Sequence, residues 1–231
     1  MLQANQALAT PGADVHIDAD PVLQAIRTLP PGQRAVVVAA APDAFWSVVL
    51  VDLATGEDEV LRRSTPHAVD RADISVPETI EFPTTGGRTA FALYLRPVNR
   101  AFEAPAGEKP PLIVTSHGGP TAAAFNGLGV PQQLFASRGF AIVDVDYGGS
   151  NGYGRDYRKR LEGEWGVVDV DDCVAAARYL VDRGEVDPER LIIRGGSASG
   201  FTSGCEITVQ PSSFSPSMPT FSNLSATRTF I

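Results

Sequence analysis

Cysteine is scarce in this chain, at two residues in 231. Cys173 and Cys205 share no paired metal-ligand spacing, so neither a disulfide framework nor a zinc site is indicated, and each reads as a small buried side chain. Positive charge is also in deficit: 19 Lys and Arg stand against 27 Asp and Glu, for a net charge of −8, with no long basic cluster. That excludes a nucleic-acid backbone or an anionic membrane surface as a partner. No apolar run is long enough to span a bilayer. The first twenty residues, MLQANQALATPGADVHIDAD, lack the basic start and continuous apolar stretch of a secretory signal, so a cytoplasmic location is expected. Nothing in the sequence calls for a metal or a cofactor.

What the chain does contain is ordinary globular material. Hydrophobic residues make up 43% and charged residues 20%, enough apolar surface to fold, and the length suits one large domain or one domain plus part of another. From Val36 to about Arg63, apolar and polar positions alternate around the turn ATGE, as in short antiparallel strands. This hairpin-like unit cannot cover its own apolar face and must pack on something else. The polar stretch STPHAVDRAD, near residues 64–75, separates it from a second strand pair, ETIEFPTT and TAFALYLRP, joined through Gly86 and Gly87.

Beyond the loop NRAFEAPAGEKPP the texture changes. LIVTS at 112–116, FAIVDVD at 140–146 and LIIR at 191–194 are short runs rich in branched residues, as parallel strands buried on both faces should be. Between the last two lies the best helix of the sequence, from near Asp169 to about Arg183. Its acids stand at the start, where they complement the helix dipole, and Cys173, Ala176, Ala177 and Leu180 share one face. Gly184 and Pro188 end it. Strand, helix and strand at this spacing form the βαβ unit of an α/β sheet, whose ligand sites lie beyond the carboxyl ends of the strands.

Two glycine-rich motifs occur at such ends. GGSASG follows LIIR directly and leads into FTSGC, small and apolar enough to begin a helix. A nucleophilic serine needs a sharp strand-to-helix turn of this kind, so that its Oγ projects while the next backbone N–H faces the developing oxyanion. Ser197 is the candidate nucleophile and Ala198 the donor. Gly195 and Ser197 match the G-x-S-x-G form, but Ser199 stands where the closing glycine is expected; alone, the six residues would also suit a flexible loop or a phosphate cradle. The second motif, HGGP at His117–Pro120, follows LIVTS. Such a loop supplies the other oxyanion-hole N–H, assigned to Gly119, although by itself it would suit a plain turn. His117 precedes the serine, whereas this fold runs serine, acid, histidine, so its ring is expected to brace the loop rather than act as base. His16 and His67 lie in polar segments and read as surface residues. A third stretch, Asp146 to Gly166, is dense in glycine and aromatics; Tyr147, Tyr153 and Trp165 either shape a pocket or hold a long connection down.

GEKPPLIVTSHGGPTAA, DYGGSNGYGRDYRKRLEGEWGVVDVDDC and LIIRGGSASGFT, in this order, resemble the catalytic domain of the prolyl oligopeptidase family of serine peptidases, especially its acylaminoacyl-peptidase and dipeptidyl-peptidase-like bacterial members. The resemblance covers roughly residues 76–202. It implies a partial α/β-hydrolase fold, a mostly parallel sheet with flanking helices, over 76–202. It also implies that residues 1–75 hold the remnant of a β-propeller blade. Residues 203–231, rich in Ser, Thr and Pro and without βαβ periodicity, no longer resemble the family and read as an irregular tail. The resemblance further implies Ser197 as nucleophile, the Gly119 and Ala198 backbone groups as oxyanion hole, and hydrolysis of short peptides through an acyl-enzyme.

That mechanism needs a histidine base oriented by a carboxylate, and after Ser199 the sequence contains no Asp and no His; its one acid there is Glu206. A chain incomplete at both ends, truncated or frame-shifted after Ser203 and catalytically inactive, is therefore the expectation. Loss of later strands would leave the edge of LIIR unpaired and open to aggregation or self-association. A carboxylesterase with the same elbow chemistry and a non-enzymatic binding module are the competing functions.

Overall fold

The computed structural model describes residues 33–209; the segments before and after, including His16, lie outside the described residues. Strands β1 (Arg34–Ala41), β2 (Ala44–Asp52) and β3 (Asp58–Arg63) form an antiparallel sheet in that order. The expected turn ATGE joins β2 to β3: Gly56 N–H donates to Asp52 O at 2.8 Å, and Asp52 Oδ1 accepts from the N–H groups of Ala54 and Thr55. A second turn at Pro42 and Asp43 adds β1, so the expected hairpin is a sheet of three strands. The sheet docks on the rest of the molecule through Trp46, whose indole stacks on Phe125 at 4.6 Å, and through Leu128 N–H, which donates to Ala41 O at 2.9 Å.

The second sheet contains β4 (Glu78–Thr84), β5 (Arg88–Leu95), β6 (Leu112–Ser116), β7 (Ala141–Asp146) and β8 (Leu191–Ile193), in the order β4-β5-β7-β6-β8. β6 pairs in parallel with β7 and β8, as the branched runs predict. The hairpin β4–β5, turned by Gly86 and Gly87 with φ of 68° at both, joins antiparallel to β7, which makes the sheet mixed. Among the described residues β8 pairs only with β6 and forms an edge.

Among the described residues four α-helices accompany the sheet: α1 (Val130–Ala136), α2 (Arg155–Lys159), α3 (Val168–Asp182) and α4 (Ala198–Val209). The face of α3 predicted from spacing, Cys173, Ala176, Ala177 and Leu180, is buried against Phe82, Ala92, Tyr94, Val114 and Val143. Two adjacent alanines in that face let the helix lie close to the sheet. Gly184, at φ 72°, ends α3 in a Schellman turn, with Gly184 N–H donating to Val181 O at 2.8 Å and Glu185 N–H to Leu180 O at 3.0 Å. On the opposite face Leu95, Ile113 and Ile142 pack against Ala136 of α1.

Helix α4 corrects one expectation. It runs to Val209, so residues 203–209, read from the sequence as the start of an irregular tail, are helical. Local and tertiary contacts override the Ser/Gly composition: Ser203 Oγ donates to Ser199 O at 2.8 Å, and Phe201 packs against Trp165.

Candidate active site

The loops leaving the carboxyl ends of β6, β7 and β8 converge on Ser197. It stands between β8 and α4 with φ 57°, and among the described residues no other non-glycine residue has a positive φ. Left-handed backbone costs an L-residue roughly 1–3 kcal/mol and persists only where the surroundings impose it. Here they do. β8 delivers the chain at Ile193, and Arg194 N–H donates to Val114 O at 3.0 Å; on the far side Gly200 N–H closes the first turn of α4 on Ser197 O at 3.0 Å. The reversal between them has no room at Gly195, where a Cβ would stand 2.3 Å from Ser199 O. Ser197 itself is exposed, whereas Ala198 is buried as the first residue of α4.

Ser199, at the position expected for glycine, is 1% exposed, and its Oγ lies 2.8 Å from Ser116 Oγ at the end of β6. The departure from the motif is accommodated because serine is small and its hydroxyl has a partner.

The HGG loop lies beside the serine: a Cβ on Gly118 would be 3.6 Å from Ser197 Cβ and 3.9 Å from its Oγ. Gly119 has φ 59°, a conformation that suits glycine, and its carbonyl accepts from Ala122 N–H at 2.9 Å. His117 stacks on Tyr147 at 4.6 Å; its Nδ1 lies 3.1 Å from Gly118 O and its Nε2 2.6 Å from Ser150 Oγ. Burial holds its pKa below the ordinary value, so the ring is neutral. The Gly118 carbonyl can only accept, so Nδ1–H donates to it, and Nε2 of the neutral ring faces Ser150 Oγ, a hydroxyl that also lies 2.8 Å from Tyr147 O. Nδ1 is thereby engaged within the HGG loop and Nε2 by the loop that follows β7. His67 lies in the exposed segment after β3.

The 146–166 stretch is held down from inside. Tyr147 is fully buried, and Tyr153 stacks on Phe91 at 4.4 Å. Burial raises the pKa of Tyr153 and Tyr157, which keeps both phenols protonated as donors. Tyr153 donates to Asp146 Oδ2 at 2.8 Å, Tyr157 donates to Asp146 O at 2.5 Å, and Ala124 N–H donates to Asp146 Oδ1 at 2.6 Å. Asp146 therefore ties the loop after HGGP to the tyrosine-rich loop. Its pKa is raised by burial, while the hydrogen bonds from Ala124 N–H and the Tyr153 hydroxyl oppose that rise. Two residues along β7, Asp144 is raised as well, to about 7, by burial first and the Asp146 charge second. Trp165 stands apart from these tyrosines, half-exposed, against Phe201 of α4 at 5.0 Å.

Asp146, Ser150 and Ser199 carry these connections without having been singled out as site residues from the sequence. The signal for Asp146 was an acid, like Asp144, in a strand whose other residues are all apolar, a type that goes into a core only when paired.

Comparison with known proteins places this geometry. Residues 128–228 match the model of the prolyl oligopeptidase family. The chain is 35% identical over 104 residues to the dipeptidyl aminopeptidase BIII of Pseudoxanthomonas mexicana, covering 45% of this chain and 15% of that protein. It is 30% identical over 161 residues to the uncharacterized peptidase YuxL of Bacillus subtilis, covering 69% of this chain and 23% of that one. Among solved structures, a puromycin-hydrolyzing peptidase of Mycobacterium tuberculosis superposes with a TM-score of 0.76 at 46% identity, over 79% of this chain and 28% of that chain. The chain thus spans less than a third of the length of each of these proteins.

Proposed function

Because this chain belongs to the prolyl oligopeptidase family, we propose that it works as a serine peptidase on short peptides, with Ser197 as the nucleophile. The N–H groups of Gly119 and Ala198 form the oxyanion hole, and His117 braces the loop that presents Gly119. The observation that carries this reading is the left-handed backbone of Ser197 at a strand-to-helix turn with Gly118 packed against its side chain.

Ser197 Oγ attacks the scissile carbonyl, and the two N–H groups receive the oxyanion. Collapse of the tetrahedral intermediate expels the amine and leaves an acyl-enzyme, which water then hydrolyses. The Ser197 proton has to pass to a general base and from there to the leaving amine. His117 does not serve, because its ring nitrogens are engaged by Gly118 and Ser150. The names of the relatives, a dipeptidyl aminopeptidase and a puromycin-hydrolyzing peptidase, support short peptides and aminoacyl amides as the substrate class.

The test is covalent labelling of the 231-residue chain by a fluorophosphonate, with and without added imidazole as an external base. The expected result is modification at Ser197 that imidazole accelerates and Ser197→Ala abolishes. A folded chain left unmodified in imidazole, or equal labelling of Ser197→Ala, overturns the reading.

A further inference from the structure

Helix α3 buries two carboxylates one turn apart, Asp169 at 0% and Asp172 at 1% exposure. Acids at the start of a helix satisfy its dipole from the surface, and nothing about the dipole requires them in the interior. A buried carboxylate is retained only where donors compensate the water it has lost. Both have such donors, and the donors belong to other elements. Asp172 accepts from Gly148 N–H at 2.7 Å and from Thr84 Oγ1 at 2.6 Å, which anchors the loop after β7.

Asp169 reaches the nucleophile side. Its Oδ1 accepts from Gly166 N–H at 2.6 Å and its Oδ2 from Thr202 Oγ1 at 2.5 Å. Thr202 sits one turn into α4, and its Oγ1 also lies 3.3 Å from Ala198 O. The hydroxyl has one proton, and the shorter contact assigns it to the carboxylate, a charge-assisted bond. The same turn of α4 is gripped twice more: Phe201 packs on Trp165, and Gly166 lets Phe201 and Cys205 approach so closely that a Cβ there would stand 3.2 Å from the Phe201 ring. Three contacts from residues 165, 166 and 169 thus hold Phe201, Thr202 and Cys205 in the first two turns of the helix that begins at Ala198.

We propose that Asp169, acting through Thr202, is a positioning residue for the nucleophile turn: it fixes the orientation of the first turn of α4, and with it the direction of the Ala198 N–H and the left-handed backbone of Ser197. The proposal rests on Ser197 being the nucleophile. A carboxylate that only filled space would affect the stability of the whole chain without loosening this turn selectively.

The test uses the 231-residue chain with Thr202→Val, which keeps the shape and removes the donor, and Thr202→Ser, which keeps the donor. Amide hydrogen exchange over residues 195–205 and the rate of fluorophosphonate labelling are measured in parallel. Thr202→Val is expected to speed exchange of that segment about tenfold while β6 and β7 keep wild-type protection, and to slow labelling about tenfold; Thr202→Ser restores both. Where Thr202→Val does not fold, Asp169→Asn is expected to move both readouts in the same direction. Wild-type exchange in Thr202→Val overturns the proposal, as does a Thr202→Ser chain that behaves like the valine variant. If the wild-type chain does not label, the nucleophile reading fails, and exchange alone decides the role of Asp169.

Discussion

Ser199 Oγ lies 2.8 Å from Ser116 Oγ, a hydroxyl pair that joins the first turn of α4 to the last residue of β6. The two loops that flank Ser197, the HGG loop after Ser116 and the turn before Ser199, are thereby fastened to each other. A glycine at 199 would give up this contact.

Ser199→Ala and Ser116→Ala are each expected to cost about 1 kcal/mol of unfolding free energy, the usual worth of one neutral hydrogen bond. Because both remove the same bond, the double variant should cost clearly less than the sum. Urea unfolding of the four chains checks this, and strict additivity would show that the two hydroxyls act independently.

Ser197→Gly should stabilise the fold by about 1 kcal/mol, since glycine adopts the φ of 57° without the left-handed penalty. Ser197→Ala keeps the penalty and should unfold like the wild type. Both lose fluorophosphonate labelling. Equal urea midpoints for the two variants would mean that the turn stores no strain.

Gly195→Ala places a Cβ 2.3 Å from the backbone oxygen of Ser199 and should cost roughly 1–3 kcal/mol. At Gly196 a Cβ meets nothing within 4 Å, so Gly196→Ala should fall within about 0.5 kcal/mol of wild type. Thermal unfolding of the pair separates them.

Asp144 carries a pH signature. Its folded pKa of about 7 lies above the ordinary 3.8, so the folded chain holds a proton that the unfolded chain has released. The stabilising contribution is complete below about pH 4 and is lost as pH rises through 7. Asp144→Asn keeps the shape and removes the titration, so its stability relative to wild type should grow by roughly 3 kcal/mol between pH 5 and pH 8. A constant difference in urea midpoint across that range would contradict the assignment.

The strands and the long helix were legible in the sequence because burial on one or two faces imposes a period. β7 is buried at every position, and α3 repeats its small apolar residues at three and four. The short helices α1 and α2, of seven and five residues, give too little sequence for a period to emerge, and β1, inside the span read as short antiparallel strands, is not separated from β2 because the run Ala39–Ala41 before its turn does not alternate. Around Ser197 the glycine motifs were visible because backbone geometry demands that residue type. Asp169, Asp172 and Ser199 were not, since a carboxylate at a helix start or a serine in a glycine motif looks the same in sequence whether solvent or a buried hydroxyl receives it. Only the tertiary partners, Thr202 for Asp169, Thr84 and Gly148 for Asp172 and Ser116 for Ser199, separate those cases. The contacts of Phe201 with Trp165 and of Cys205 beside Gly166 favour a helix that the composition after Ser203 does not.

The contacts of Trp46 with Phe125 and of Trp165 with Phe201 have an optical consequence. These are the only two tryptophans in the chain. One indole reports on the segment that follows the HGG turn, and the other on the helix that begins at Ala198. Replacing either with phenylalanine leaves a single intrinsic fluorophore beside one half of the site, so the two halves can be followed separately by emission or quenching without an added dye.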